Sequence, residues 1–353
     1  MKKQSPITLL DVTLREGSYL VDYQVKTKDV THIVDYLDAA HVQYIEIGHG
    51  GGVGASKLGY PSAATDLEYI EAARSVAKKA KLGMLVNPNW NCLPDFDEIA
   101  PLVDFVRIGA NVNNVFSAAP YVERAKKQGL FVFFQLLRSP ALPAFRVAAA
   151  ARKVEKMGVD VIYIVDTMGS MTPKEVREYV KVIKAQVKTP LGFHAHNNLG
   201  LAIANSLEAA RCGCKFIDAS LLGVGRQAGN TQLETIALLL EREGFKTSLD
   251  IPLLLDTAES LVAPVFTRYK GAEPYDLWSA YWNLDLYPRW AYQQLAIVLG
   301  LDTKSLIKEM SRLKNFVTLD EEQLLALSKR FKVPYDKLAA AAQSPCDTVK
   351  KAN

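Results

Sequence analysis

Short apolar runs alternate with amphipathic segments along most of this 353-residue chain, and this alternation limits its fold more than any other feature. The amphipathic segments carry apolar residues at helical spacing, whereas the apolar runs are rich in the β-branched and aromatic residues that favour strands. Strands that alternate with helices pair in parallel through right-handed crossovers. The predicted strands cover residues 7–11, 44–48, 82–86, 105–108, 131–136, 161–165, 191–194 and 216–219. The clearest predicted helices cover residues 28–40, 67–79, 120–128, 143–157, 173–187 and 201–212.

Eight such units in about 240 residues are typical of an α/β chain folded as a (β/α)8 TIM barrel, and a doubly wound sheet is the alternative. We favour the barrel because polar residues able to do chemistry follow several different strands. Arg15 and Glu16 follow the first strand, His49 follows the second, and Asp166 and Thr167 follow the sixth. Enzymes with this fold place their active sites at the carboxyl ends of the strands. The barrel is therefore the predicted catalytic domain.

From about Pro252 onward the strand pattern gives way to helices with clustered aromatic residues. This change predicts two domains, a barrel over residues 1–250 and a helical C-terminal domain over residues 251–353. The clustered residues are Tyr275, Trp278, Tyr281, Trp282, Tyr287 and Trp290. Because tyrosine and tryptophan are favoured at protein interfaces, the helical domain is predicted to be a docking surface. A homodimer interface, or simple coverage of the barrel, is the alternative.

Two histidines at the end of the seventh strand predict a metal site. His194 and His196 stand two residues apart, so in an extended strand both side chains point to the same face. A carboxylate from a distant strand would complete one side of a cation site. Nitrogen and oxygen ligands without a thiolate suit Mn²⁺, Mg²⁺, Co²⁺ or Zn²⁺, and they leave coordination positions for substrate. The alternative is that two histidines merely end a strand.

The charge and hydropathy of the chain argue against large polyanionic partners. Its 42 basic and 38 acidic residues give a formal charge of +4, which is too small and too dispersed to indicate nucleic acid or an anionic membrane. No apolar segment of signal-peptide length precedes the first strand, and no run approaches the ~18 apolar residues of a membrane span. The sequence therefore predicts a cytoplasmic protein that acts on small molecules.

Five motifs resemble those of the metal-dependent TIM-barrel lyase and aldolase superfamily. They lie at residues 11–17 (Asp-Val-Thr-Leu-Arg-Glu-Gly), 46–52 (Glu-Ile-Gly-His-Gly-Gly-Gly), 165–169 (Val-Asp-Thr-Met-Gly), 194–200 (His-Ala-His-Asn-Asn-Leu-Gly) and 218–230. Members of this superfamily include hydroxymethylglutaryl-CoA lyase, isopropylmalate and homocitrate synthases, and 4-hydroxy-2-oxovalerate aldolase. The resemblance is closest to the last of these. It implies a carbon–carbon lyase that handles a 2-oxo acid such as pyruvate together with an aldehyde.

The resemblance also implies roles for individual residues. By it, Glu16, His194 and His196 bind the divalent metal, Mn²⁺ or Mg²⁺ before Co²⁺ or Zn²⁺, and Asn230 lies at or near that metal. Arg15 steadies the enolate oxygen, Thr167 helps to seat the 2-oxo acid, and Tyr281 of the helical domain contacts substrate. In the aldolases that this chain resembles, the helical extension contacts an aldehyde dehydrogenase. That enzyme is therefore an expected partner.

Two departures from the aldolase pattern leave the general base open. Glu16 stands where the aldolases usually have aspartate, as in homocitrate synthase. Tyr19 stands four residues after the motif arginine, where the aldolases have a histidine that acts as the base. The candidates are Tyr19, His49, a metal-bound water and Tyr281. A phenol titrates near ~10, so Tyr19 needs a lowered pKa to act as a base at neutral pH.

Three functions from different classes are consistent with these residues. The first is a metal-dependent aldolase that cleaves or forms a 4-hydroxy-2-oxo acid. The second is a Claisen-type acyl-CoA/2-oxo acid synthase, or an acyl-CoA lyase, of the same superfamily. The third is a non-catalytic partner-binding subunit, for which the missing histidine is the support.

Overall fold

Eight parallel strands close into a barrel in sequence order, from β1 to β8. This is the architecture of a computed structural model that describes residues 6–90, 92–269, 271–313 and 318–343. The barrel closes where β1 pairs with β8, with Leu10 opposite Asp218. The strands are β1 (Thr8–Asp11), β2 (Tyr44–Ile47), β3 (Lys81–Val86), β4 (Phe105–Asn111), β5 (Phe131–Leu137), β6 (Val161–Asp166), β7 (Leu191–Ala195) and β8 (Phe216–Ala219). The predicted fold class is confirmed.

Helices follow the strands and cover the outside of the barrel. They are α1 (Thr13–Gly17), α2 (Thr27–Ala39), α3 (Asp66–Arg74), α4 (Leu93–Ile99), α5 (Ala119–Lys127), α6 (Ala144–Glu155), α7 (Pro173–Lys184), α8 (Ala202–Arg211) and α9 (Leu233–Arg242). Helix α7 shows why such segments form here. Thr172 and Glu175 cap its first turn reciprocally, while Val176, Val180 and Ile183 lie buried on one face. Caps of this kind contribute about 1 kcal/mol, and the apolar face supplies the rest through packing.

Helix α3 is shorter than its predicted span, which ran to residue 79. It ends at Arg74, and the chain then turns toward β3. Asp38 at the end of α2 accepts hydrogen bonds from the backbone N–H groups of Lys79 (2.8 Å) and Ala80 (2.5 Å). A carboxylate outside the helix thus binds N–H groups that a longer helix would have used internally.

The barrel interior is divided into an aromatic tier and a charged tier. Near the amino ends of the strands, the rings of Tyr44, Phe105 and Phe133 contact one another with centroids 5.3 to 5.5 Å apart. Tyr163 packs beside them, and its ring requires glycine at position 192, because a Cβ there would lie 2.5 Å from the ring. Toward the carboxyl ends, charged side chains replace the rings. The buried charges of the barrel interior therefore lie on the side of the rings that faces the carboxyl ends of the strands.

Two compact units make up the chain, residues 1–273 and 274–353. The division lies later than the predicted boundary near residue 250. The first unit also contains α10 (Ile251–Thr257), a π-helical turn (Ala258–Val262) and α11 (Ala263–Val265). Leu254, Val262 and Phe266 of this segment are buried in the barrel's main core. Hydrophobic burial thus assigns the segment to the first unit, although its helical sequence is like that of the second.

The second unit is helical, as the sequence predicts, and has a core of its own. Its helices are α12 (Pro274–Trp282), α13 (Arg289–Leu299), α14 (Thr303–Met310), α15 (Glu321–Phe331) and α16 (Tyr335–Ala342). Tyr292, Leu295, Leu306 and Leu327 are buried in that core. Within the described ranges of both units, no helix combines the length and apolar character needed to cross a bilayer.

Candidate metal centre at the carboxyl ends of the strands

The structure brings together the three residues predicted to bind metal. Glu16, His194 and His196 each offer one ligand atom within 4.8 Å of the others, and all three are buried. His194 is on β7, and His196 follows the strand in an isolated antiparallel bridge with Asn230. Glu16 lies on α1, a single helical turn directly after β1. That turn, which the sequence pattern did not predict, directs the carboxylate toward the two imidazoles.

Hydrogen bonds orient both imidazoles so that their Nε2 atoms face the carboxylate. Nδ1 of His194 lies 2.9 Å from Oδ2 of Asp218, and Nδ1 of His196 lies 2.7 Å from the carbonyl oxygen of Thr167. Because both partners are acceptors, each Nδ1 carries a proton, and Nε2 is the atom through which each ring can ligate a cation. Nε2 of His194 is 3.8 Å from Oε1 of Glu16. Burial lowers the pKa of His196 to about 3, so this ring is neutral at physiological pH.

Of the buried polar atoms that have no hydrogen-bond partner among the described residues, two belong to His196 and its bridge partner Asn230. They are Nε2 of His196 and Oδ1 of Asn230. The Asn230 amide is held by its Nδ2, which donates to the Val224 carbonyl at 3.0 Å, so Oδ1 is the atom left over. Glycine is required at position 225, since a Cβ there would lie 2.2 Å from that Nδ2. Unpaired buried polar atoms are rare in proteins, and these two are of types that ligate metals.

Together, these donors fit a divalent cation. A carboxylate, two imidazole nitrogens and an amide oxygen form a mixed nitrogen and oxygen set without thiolate. Such a set suits Mn²⁺, Mg²⁺, Co²⁺ or Zn²⁺. The carboxylate is ionised: burial alone would raise the pKa of Glu16, but the Arg15 guanidinium beside it holds that pKa far below its usual value. A metal is thus supported by this chain's own geometry.

Arg15 contacts the ligand carboxylate and a second acid. Its Nη1 donates to Oε1 of Glu16, and its Nε donates to Oε2 of Glu46 at 3.0 Å. The side chain is buried, which strengthens its electrostatic effect on any neighbouring charge. An arginine fixed beside a metal site can stabilise negative charge that develops on a substrate oxygen. The predicted role of Arg15 stays a prediction.

A chain of buried ions continues from Arg15 into the barrel, and the motifs did not point to its central member. Arg107 on β4 bonds both Glu46 and Asp218, and Asp218 in turn bonds His194. Burial would lower the pKa of Arg107, but Asp218 and Glu46 outweigh it and raise that pKa, so the guanidinium stays charged. Strands β2, β4 and β8 each contain a single charged side chain among apolar residues: Glu46, Arg107 and Asp218, respectively. That pattern was a usable signal, since unpaired charges are almost never buried.

Thr167 lies next to the ligand set. It is buried, its carbonyl accepts from His196, and its hydroxyl accepts from the backbone N–H of Arg138 at 2.8 Å. The neighbouring Asp166 is turned away into the backbone, where its carboxylate accepts from the N–H groups of Ser170 and Met171. Burial raises the pKa of Asp166 to about 7. Asp166 therefore has a structural position, whereas Thr167 stays available as the predicted contact for a 2-oxo acid.

The candidate base Tyr19 contacts the loop after β2, which carries the other candidate, His49. The Tyr19 hydroxyl donates to the Gly50 carbonyl at 2.7 Å. Both nitrogens of His49 are engaged, because Nδ1 accepts from the Gly51 N–H and Nε2 donates to the Tyr60 carbonyl, each at 2.9 Å. Its ring also stacks on Tyr23 with centroids 4.0 Å apart. Burial lowers the pKa of His49 to about 4, so it is a weak base in this arrangement.

Tyr281 belongs to the second unit, on α12, and its side chain is 75% exposed. The structure therefore shows it as a surface residue of that unit. Its predicted contact with substrate stays a prediction.

The sequence matches the HMGL-like family over residues 6–94 and 104–261. It is 36% identical to an oxaloacetate decarboxylase of Mycobacterium tuberculosis, over 86% of this chain and 90% of that protein. It is 35% identical to a 4-hydroxy-2-oxovalerate aldolase of Geobacillus thermodenitrificans, over 89% of this chain and 92% of that enzyme. Among solved structures, hydroxymethylglutaryl-CoA lyase of Pseudomonas aeruginosa shares the fold, with a TM-score of 0.65 and 21% identity over 78% of this chain and 98% of that one.

Proposed function

The chain belongs to the HMGL-like family, and we propose that it is a divalent-metal-dependent aldolase, a carbon–carbon lyase. Its reaction cleaves or forms a 4-hydroxy-2-oxo acid, with pyruvate and an aldehyde as the two components. The observation that carries this proposal is the buried set of Glu16, His194 and His196 beside Arg15. Relatives named 4-hydroxy-2-oxovalerate aldolase, at 34% to 40% identity, support the same reaction.

The chemistry explains why these residue types stand together. Breaking a carbon–carbon bond next to a ketone leaves an enolate, and a bound divalent metal supplies Lewis-acid stabilisation of that charge. Arg15 provides a second, fixed positive charge at the same place. Thr167 orients the carboxylate end of the 2-oxo acid. We propose Mn²⁺ or Mg²⁺ as the cation, with Co²⁺ or Zn²⁺ as alternatives that the same donors accept.

Proton transfer is the step for which this chain differs from the aldolases it resembles. Aldol cleavage removes the proton of the 4-hydroxyl group. We assign this transfer to Tyr19 as a phenolate: the hydroxyl that donates to the Gly50 carbonyl first releases its own proton to solvent, and the phenolate then accepts the proton of the 4-hydroxyl group. His49 would have to give up one of two backbone hydrogen bonds to accept a proton. A metal-bound water and Tyr281 are the other candidates.

Decarboxylation of oxaloacetate is a second candidate function. Loss of carbon dioxide from C4 gives the same pyruvate enolate, but no hydroxyl proton has to be removed. The engagement of both His49 nitrogens favours this reaction, and so does the similarity to the oxaloacetate decarboxylase of Mycobacterium tuberculosis. It needs the same metal ligands and the same arginine.

The test is deuterium exchange at the methyl group of pyruvate, with Mn²⁺ present, followed by proton NMR. We expect exchange with the wild-type chain, and loss of both exchange and bound metal in His196→Ala. His32→Ala is the matched control, because His32 is exposed on α2. Absence of exchange by the metal-loaded wild type, with or without added aldehyde, refutes the aldolase proposal. Exchange is expected of the decarboxylase as well, because it forms the same pyruvate enolate. Release of carbon dioxide from oxaloacetate without turnover of a 4-hydroxy-2-oxo acid identifies the decarboxylase, and turnover of an acyl-CoA with a 2-oxo acid identifies the Claisen-type alternative.

A location and a partner belong to the same proposal. We propose that the protein acts in the cytoplasm and that its second unit docks on an aldehyde dehydrogenase, which takes up the aldehyde. The support is the exposure of large apolar side chains on that unit, with Tyr281 at 75% and Ile297 at 70%. Aromatic and aliphatic side chains of this kind form the centres of interfaces. A homodimer through this surface is the alternative.

A further inference from the structure

Arg107 lies in the barrel interior and is bound on two sides. Its side chain is completely buried on β4. Nη1 donates to Oε2 of Glu46 at 2.5 Å, and Nη2 donates to Oδ2 of Asp218. Its guanidinium carbon also lies 5.2 Å from the centroid of the Tyr163 ring. Burying an arginine costs several kcal/mol unless its charge is paired, and here two carboxylates pair its terminal nitrogens, while Nε has no hydrogen-bond partner among the described residues.

The two oxygen atoms that bind Arg107 also bind the site itself. Oε2 of Glu46 accepts from Nε of Arg15 at 3.0 Å. Oδ2 of Asp218 accepts from Nδ1 of His194 at 2.9 Å. Each carboxylate therefore shares a single oxygen between Arg107 and one residue of the candidate site. The guanidinium of Arg107 is therefore linked through Glu46 to Arg15 and through Asp218 to His194.

We propose that Arg107 is a positioning residue that fixes Arg15 and His194 relative to each other. It acts on Arg15 through Glu46 and on His194 through Asp218. Its planar fork donates in two fixed directions, to a carboxylate on β2 and to one on β8, whereas the ammonium group of lysine is a compact point charge that cannot reproduce this planar geometry. The effect expected on catalysis rests on the proposed function, but the effect on His194 does not.

Replacing the Arg107 guanidinium should change both the metal affinity at His194 and the contribution of Arg15 to catalysis. Partners that orient a metal-ligating histidine typically change metal affinity 10- to 100-fold when they are altered, and we expect a loss of about that size. At the other end, Arg15 stabilises charge that exists only in the transition state. Displacing it should therefore lower kcat by about 10-fold or more and change the KM for pyruvate much less.

The experiment compares Arg107→Lys and Arg107→Met with Arg124→Met in the full chain. Arg124 is the matched control because it also binds a carboxylate with two nitrogens, that of Asp97, but at an exposed position. Free Mn²⁺ is measured by electron paramagnetic resonance, and pyruvate exchange gives kcat and KM. We expect weaker Mn²⁺ binding and lower kcat in Arg107→Lys, no change in Arg124→Met, and little further loss when Arg107→Lys is added to Arg15→Lys. Additive losses, or equal Mn²⁺ affinity in all folded variants, overturn the proposal.

A third measurement needs neither metal nor activity. In the ¹⁵N-histidine-labelled, metal-free chain, the Nδ1–H resonance of His194 should move downfield in Arg107→Lys, because the Asp218 oxygen is no longer shared with a guanidinium. The Nδ1–H of His196, which binds the Thr167 carbonyl, is the internal control and should stay in place. If wild-type protein fails to bind Mn²⁺ or to exchange pyruvate but the His194 resonance moves as expected, the proposed function fails alone. An unmoved resonance overturns the positioning role.

Discussion

The pKa of His49 makes the stability of this protein depend on pH in a calculable way. In the folded chain, burial lowers this pKa from 6.5 to about 4. Between those two values the unfolded chain binds a proton on His49 and the folded chain does not. Stability is therefore lost as the pH falls from about 6.5 to about 4, and a pKa difference of this size corresponds to about 3 kcal/mol.

The perturbation that isolates this effect is His49→Gln. A glutamine side chain can accept from the Gly51 N–H and donate to the Tyr60 carbonyl, as His49 does, but it does not titrate. We expect similar free energies of unfolding at pH 7, and a wild-type deficit that grows to about 3 kcal/mol at pH 4. Asp11 and Asp166, whose pKa values burial raises to about 7, change stability in the opposite direction with pH. Both are present in both proteins, so they cancel in the difference.

The assay is urea denaturation followed by circular dichroism at pH 7, 5.5 and 4, with His32→Gln as the exposed control. A difference between wild type and His49→Gln that stays constant within about 0.5 kcal/mol across this range contradicts the reasoning. It would mean that His49 titrates near 6.5 in the folded chain. In that case His49 would return as a leading candidate for the general base.

Three further predictions concern the site and the second unit. Arg15→Lys should retain Mn²⁺ but lower kcat about 10²- to 10³-fold, as measured by metal analysis after dialysis and by pyruvate exchange; loss of the metal would contradict the separation of roles. Tyr19→Phe should keep its affinity for pyruvate, lose aldol turnover about 10²-fold or more, and lose one limb of the pH–rate profile, while oxaloacetate decarboxylation changes only a few-fold. An unchanged profile moves the base to another group. Ile297→Glu, on the exposed surface of the second unit, should abolish docking or dimerisation. Light scattering would show this as a change of mass relative to the control Lys304→Glu. Equal masses of wild type and variant, with and without an aldehyde dehydrogenase, would count against that surface.

The barrel was predictable because its signal is periodic and repeated. Each strand is an apolar run of the right length, and each helix carries an apolar stripe that the strands require for burial. The first unit extends past the predicted domain boundary. Leu254 and Phe266 are buried in the core of the barrel, although they lie in a helical sequence like that of the second unit. Nothing in the local pattern distinguishes a helix that packs on the barrel from one that packs elsewhere. The sequence therefore predicted two units, and the structure divides them about twenty residues later than the predicted boundary.

The candidate site was predictable where neighbouring residues carry the signal. His194 and His196 share a face because they are two residues apart, and the motif with Glu16 pointed to the third ligand. Arg107 was missed because strands of a parallel barrel are buried on both faces, so alternation does not reveal which side chains point inward. Its partners Glu46 and Asp218 are 61 and 111 positions away. Only the closed barrel brings them together.

The aromatic tier at the amino ends of the strands has a consequence for the order in which molecules leave. The rings of Tyr44, Phe105 and Phe133 fill the barrel at the amino ends of the strands, so we expect small molecules to enter and leave at the carboxyl ends. We expect pyruvate to bind deeper in the barrel than the aldehyde and to depart after it. We expect an ordered release in which pyruvate inhibits competitively against the 4-hydroxy-2-oxo acid, whereas the aldehyde inhibits noncompetitively.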